Sequence, residues 1–225
     1  IIIVHVFGNA PNLNKLSKIC NKRNIEIVED ASESLGTFYK LKNNKKMHVG
    51  TKGKISCISF NGNKIITSGG GGMIITNKDY LAKKARYLIS QAKDDSLNYI
   101  HNSVGYNFRM SNLHASIGVA QLRKINLILK KKIKINQFYK KLIRNISGLE
   151  IAQTPNYAFN NNWLNVLQVN SKNYTKDRKR IIKSFSLNQI DCRPVWKLNH
   201  LQKPYLFAQK YKISNALKLH KISIC

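Results

Sequence analysis

The sequence predicts an α/β fold: a mostly parallel sheet with helices on both sides, then a smaller C-terminal α/β domain. Three observations carry this expectation. Residues 1–28 run as a β-branched apolar stretch, a helical stretch and a second apolar stretch, and strand, helix, strand is the unit that sets two parallel strands side by side. The apolar stretches are continuous, as in strands buried on both faces; an antiparallel α+β arrangement is the alternative and favours alternation. After Gly148 the composition turns to short alternating strands around Trp163 to Val169. The expected domains are therefore 1–130 and 131–225, in a chain long enough to bury a substantial core.

Ile1 to Phe7 reads as the first strand, closed by the turn formers Gly8, Asn9 and Pro11. Asn12 to Asn21 places Leu13, Leu16 and Ile19 at helical spacing, and Ile25 to Val28 is the next strand. A lysine-rich turn follows, then a strand from Ile55 to Phe60. The glycines Gly69 to Gly72 invite a phosphate-loop reading, but no Lys-Ser/Thr pair follows and Met73 to Thr76 looks like a strand, so a flexible turn between strands is expected. Asn77 to Ser90 reads as a helix capped by Asn77, with Leu81, Ala85 and Leu88 on one face. Ser111 is the expected cap of one long helix from Leu113 to about Ile146, ended by Gly148. Its Ala115, Ile117, Gly118, Ala120 and Leu122 suit close packing against the sheet or a partner. Arg180 to Ser186 is the last helix expected.

The charge of +29, from 39 basic and 10 acidic residues, points first to nucleic acid or an anionic membrane. Its distribution argues otherwise. Lysine far outnumbers arginine and accompanies abundant Asn and Ile, the charges are dispersed, and no basic string is interleaved with stacking aromatics. Loose, salt-dependent adhesion to polyanions is what remains. Cys20, Cys57, Cys192 and Cys225 lie far apart with no CxxC, and the six histidines have no ligand spacing, so neither a zinc site nor a disulfide framework is indicated. With neither a signal peptide nor an apolar run of membrane-spanning length, a cytoplasmic location is expected.

Two polar groups stand just past strand ends: Asp30 after Ile25 to Val28, and Lys64 after Ile55 to Phe60. In open α/β sheets that rim is the ligand crevice. An acid and an amine brought to one crevice suggest pyridoxal phosphate, which bonds covalently to a lysine and often takes an acidic partner at its ring nitrogen. Taken singly, an Asp after a strand is a turn or cap residue and a loop Lys is solvated.

Three strings go further. VEDASESLGTFY, SFNGNKIITSGGGGMIIT and VGYNFRMSNLHASIGVAQL resemble, in order and spacing, the DegT/StrS-type sugar-nucleotide aminotransferases. The likeness runs from about Ile3 to about Tyr205 and is greatest to enzymes that aminate C4 of a nucleotide-linked 4-keto-6-deoxy sugar. It implies the fold-type-I pyridoxal-phosphate architecture and amino transfer from an amino acid, such as glutamate, to a keto sugar for surface polysaccharide or amino-sugar biosynthesis. It also implies a homodimer with shared active sites. By the same resemblance Lys64 is the Schiff-base lysine and proton shuttle, Asp30 the pyridinium partner, and Ser59 a phosphate contact. Asn107 reaches a neighbour's cofactor phosphate and Arg109 braces its loop, a surface salt bridge being the alternative for Arg109.

Glu33 falls near the cofactor's ring oxygen, where many relatives carry an amide; a carboxyl donates there only when protonated, and a solvated Glu is the alternative. His48, Gly50, Thr51 and Gly53 resemble the family's turn into the next strand, but Lys54 stands where an acid is usual, so the usual ion pair is not expected. Arg193 and His200, in CRPVWKLNHLQKPY, would contact the nucleotide-sugar or support that loop. Family members are longer, so the resemblance implies a chain lacking the upstream half of the large domain and clipped at its C-terminus. Three other functions stay open: a sugar dehydratase, whose relatives replace the lysine that Lys64 retains, an inactive remnant, and a basic nucleic-acid binder.

Overall fold

In the computed structural model, which describes residues 1–41 and 45–225, short apolar segments form β1 (Ile2–Val4), β2 (Val28–Asp30), β3 (Phe38–Lys40), β4 (Lys46–His48), β5 (Ile55–Ser59) and β6 (Gly72–Ile75). The lysine-rich turn expected after β3 includes 42–44, which lie outside the described residues. The first helix is α1 (Leu13–Lys22), capped by Asn12, whose side chain accepts the Lys15 N–H. The main sheet has the order β1-β2-β5-β6, with β1, β2 and β5 parallel and β6 antiparallel at the edge. It is therefore a mixed sheet. Ile3, Leu13, Cys20, Ile27, Tyr39 and Val49 form its buried core.

The first strand is shorter than its apolar run. His5 gives its N–H to the Asp30 carbonyl, and Val6–Gly8 then turn as a 3-10 segment with Phe7 at φ 55°. Gly8, at φ 76°, lies so close to Asn161 that a Cβ would stand 2.1 Å from Oδ1, so only glycine fits. β2 begins at Val28 because Ile25 is spent closing α1, its N–H bonded to the Cys20 carbonyl.

Beyond β6 come α2 (Asp79–Ile89), α3 (Asn112–Arg123) and α4 (Ile125–Ile143). Thr76 replaces Asn77 as the residue that bonds the start of α2, its hydroxyl accepting the Lys78 N–H at 3.1 Å. Ser111 does cap α3, accepting from the His114 N–H. The single long helix expected here is two helices, because the chain leaves helical geometry at Lys124 (φ −98°, ψ 1°). Residue Gly148 turns five positions beyond the end of α4.

The described chain divides into two units: 1–133 with 154–163, and 134–153 with 164–225. Residues 154–163, which the sequence assigns to the smaller domain, group with the first unit through β8 (Ala158–Phe159), which pairs antiparallel with β3. The second unit has its own antiparallel sheet of β7 (Leu149–Ile151), β9 (Leu167–Val169) and β10 (Ser223–Ile224), in the order β10-β9-β7. Helices α5 (Arg178–Leu187) and α6 (Ser214–Ile222) belong to it, and Val169, Ile181 and Ile224 form its core. Among the described residues no helix is long and apolar enough to cross a membrane.

Candidate active site

The parallel register fixes one wall of the site. Asp30, last in β2, pairs with Val4 of β1 and Cys57 of β5. Ser59 ends β5 two residues beyond Cys57, so both polar residues stand at the carboxyl rim of adjacent strands. Asp30 Oδ1 accepts the Ser32 N–H at 3.0 Å and has the Cys57 thiol at 3.8 Å. Burial and then the Asp30 charge push that thiol's pKa up, which keeps it a thiol. Ser59 Oγ accepts the Asn61 N–H at 3.2 Å.

Lys64 sits on the loop from β5 to β6, and the loop is closed at its base. Phe60 N–H bonds to the Gly71 carbonyl, Ser68 N–H to the Phe60 carbonyl, and Lys64 N–H to the Asn61 carbonyl. Ile65 and Ile66, both buried, plug the chain directly after the lysine. The glycine run is thus a turn between strands, as expected; Gly72 lies with its Cα against β5, where a Cβ would be 2.5 Å from the Ile58 carbonyl oxygen.

The lysine's charged end is enclosed. Its side chain is 14% exposed, with Nζ 4.0 Å from Glu33 Oε1 and 4.4 Å from the centroid of the Trp163 ring. Glu33 Oε2 accepts the Phe7 N–H at 2.6 Å, so the strained turn after β1 aims the carboxylate. This geometry sets Glu33 beside the amine. Trp163 and Asn161, which sequence reasoning missed, complete the enclosure. Asn161, 1% exposed, gives its side-chain amide to the Glu33 and Leu35 carbonyls and takes the Trp163 N–H. The only sequence signal was a large aromatic set in the polar run Asn160 to Asn165.

A second buried group was also missed. Glu29, fully buried one residue before Asp30, accepts from Gly50, Lys52 and Gly53 N–H groups at 2.6–2.8 Å and pairs with His5 Nε2 at 2.8 Å. Burial pushes its pKa up, but these hydrogen bonds and the His5 charge outweigh it and hold the carboxyl below its ordinary value. The turn expected at His48 to Gly53 is therefore wrapped on a carboxylate. Next to it Lys54, where no ion pair of the usual kind was expected, pairs with Glu26 at 2.7 Å.

Asn107 is exposed on the segment before α3, bridged to Ser90. Arg193 and His200 belong to the second unit. Arg193 is held by Asp191 at 2.9 Å, and His200 Nε2 is buried without a hydrogen-bond partner among the described residues.

The sequence pattern of the DegT/DnrJ/EryC1/StrS aminotransferase family matches residues 1–224. The chain belongs to that family. EpsN of Bacillus subtilis, a candidate pyridoxal phosphate-dependent aminotransferase, is 35% identical over 90% of this chain and 50% of its own length. The GDP-perosamine synthase of Vibrio cholerae is 34% identical over 89% of this chain and 53% of its own. The chain thus spans about half the length of the curated relatives it matches. Helicobacter pylori PseC, an aminotransferase involved in pseudoaminic acid biosynthesis, superposes with a TM-score of 0.88 at 22% identity, covering 100% of this chain and 60% of its own. The chain has an α/β fold that matches part of fold-type-I aminotransferase structures.

The donor set fits pyridoxal phosphate. An enclosed amine with Glu33 Oε1 at 4.0 Å can react with a carbonyl, and a carboxylate and a hydroxyl stand on the adjoining strand ends.

Proposed function

We propose that this chain carries the lysine-bearing part of a pyridoxal-phosphate-dependent enzyme that moves an amino group from an amino acid, glutamate foremost, to a nucleotide-linked 4-keto-6-deoxy sugar. The enclosed Lys64 amine beside Glu33 and Trp163, at the rim that Asp30 and Ser59 share, is the observation that carries the reading. Membership of the family supports the reaction class. When bound, pyridoxal phosphate supplies an electron sink for the charge left on carbon when a C–H bond breaks.

Asp30 would hold a proton at the cofactor's ring nitrogen, since a carboxylate there favours the charged form. Lys64 Nζ takes the proton from the amino acid's α-carbon and, in the reverse sense, returns one to the sugar's C4; one group serves as base and then acid. Glu33 stands 4.0 Å from Nζ, where it can orient the amine. Ser59 Oγ would hold the cofactor's phosphate, and Asn107 of a second copy would reach it across a homodimer. The apolar side chains that α3 leaves exposed, Leu113 at 71% and Val119 at 52%, support a partner on that helix. Arg193 and His200 are the proposed contacts to the nucleotide-sugar.

The test is mass-spectrometric detection of the amino sugar after incubation with pyridoxal phosphate, L-glutamate and GDP- or UDP-linked 4-keto-6-deoxy sugars. Product that is lost in Lys64→Ala supports the reading. Equal product with the variant, or polyanion binding that survives Lys64→Ala and collapses with salt, contradicts it.

A further inference from the structure

We infer that Trp163 is a positioning residue for Lys64: its indole face receives the Lys64 ammonium, the Asn63 carbonyl holds the ring, and Lys132 and Asn161 hold the backbone that carries it. The consequence for amino transfer rests on the reading of Lys64 given above; the geometry and its test do not.

Trp163 is 4% exposed and tied at three points. Its Nε1–H donates to the Asn63 carbonyl at 2.6 Å, its backbone N–H to Asn161 Oδ1 at 2.9 Å, and its carbonyl accepts from Lys132 Nζ at 3.1 Å. The bonds from Asn161 and Lys132 fix the Trp163 backbone, and the bond from Nε1 to Asn63 sets the plane of the ring. Asn63 directly precedes Lys64. One side chain therefore fixes the backbone entering Lys64 by its edge and meets the far end of the same lysine, 4.4 Å from the ring centroid, with its face.

An aromatic face attracts an ammonium and has no comparable pull on a neutral amine. Among the described residues, Glu33, from the turn after β2, and this ring face the Lys64 side-chain nitrogen. Lys132, on α4, spends its charge on the Trp163 carbonyl; half-burial pulls its pKa down. The segment 154–163 returns to the first unit, on this account, to deliver Trp163.

Competitive labelling with trace acetic anhydride, mapped by mass spectrometry, tests this without cofactor or activity. Only the unprotonated amine acylates, so removing the face frees Lys64 to react. At about pH 8, Trp163→Leu is expected to raise Lys64 labelling, relative to the other lysines, by about two- to fivefold. Trp163→Phe, which keeps a face, leaves it near the parent value. Above the ordinary lysine titration, at about pH 11, the difference vanishes, because a neutral amine has no cation to lose.

Unchanged labelling in a folded Trp163→Leu protein overturns the inference. So does a rise that persists at about pH 11, since that reports access alone. A reciprocal measurement does not depend on how Trp163→Leu folds. With Trp196→Phe leaving one tryptophan, Lys64→Met should shift the Trp163 emission and Lys64→Arg should restore it; identical emission in all three overturns the inference. A labelling rise without any cofactor adduct would leave the inference standing and remove the aminotransferase reading instead.

Discussion

Replacing Glu29 probes the anchor beneath Asp30. In Glu29→Gln the amide oxygen can keep the Lys52 and Gly53 N–H groups, while the new NH2 meets the Gly50 N–H and reaches His5 Nε2, which accepts from it only when His5 is neutral with that nitrogen unprotonated. One buried N–H left unpaired costs about 1–3 kcal/mol. Glu29→Ala strands all three N–H groups and His5 Nε2, and with water entering part of the space the cost is about 3–6 kcal/mol. That is a large share of the roughly 5–15 kcal/mol that holds a domain folded.

Urea unfolding followed by Trp163 fluorescence, with Trp196 replaced by Phe, reads the first unit by itself. The pH dependence has a definite sign. The folded carboxyl titrates below its ordinary value of 4.5, so between the two values the unfolded chain binds more protons and stability rises with pH. Glu29's contribution is complete above about pH 4.5 and is lost as pH falls through the folded value, so the cost of Glu29→Gln shrinks over that window. A cost under about 0.5 kcal/mol at neutral pH, or one that does not shrink in acid, refutes the reasoning.

Three further outcomes follow from the same contacts. Gly8→Ala, forced to a φ of 76° with its methyl 2.1 Å from Asn161 Oδ1, should cost about 2–4 kcal/mol in the same urea assay. Leu113→Asp, on the exposed apolar side of α3, should lower self-association in sedimentation velocity without changing the circular dichroism spectrum. Lys64→Ala should reduce amino transfer by at least about 10²- to 10⁴-fold, measured by product formation, while the urea midpoint moves little.

What was legible in the sequence was local. Apolar runs announced β1, β2 and β5, and Ser111 is a cap because its short polar side chain reaches a backbone N–H three residues on. Asp30 and Lys64 could be placed at one rim because a strand's end is visible in its composition, while Ser59 came from the family resemblance alone. The enclosure of Lys64 was not legible, since its bonds join residues far apart in the chain. Trp163 and Asn63 are 100 residues apart, and Asn161 and Glu33 are 128 apart. His5 and Glu29 were hidden for another reason: each reads as an ordinary polar residue at a strand edge, and only the fold buries them together. The return of 154–163 to the first unit escaped notice because β8 is two residues long. The break at Lys124 has no glycine or proline to mark it.

Reductive trapping tests the central claim most directly. The chain is mixed with pyridoxal phosphate, its absorbance spectrum recorded, the complex reduced with borohydride and the phosphopyridoxyl group located by peptide mapping. One dominant adduct on Lys64 is expected, at limiting cofactor, among 31 lysines that could otherwise compete. A scatter of adducts across surface lysines in a folded chain, with Lys64 unmodified, would contradict it.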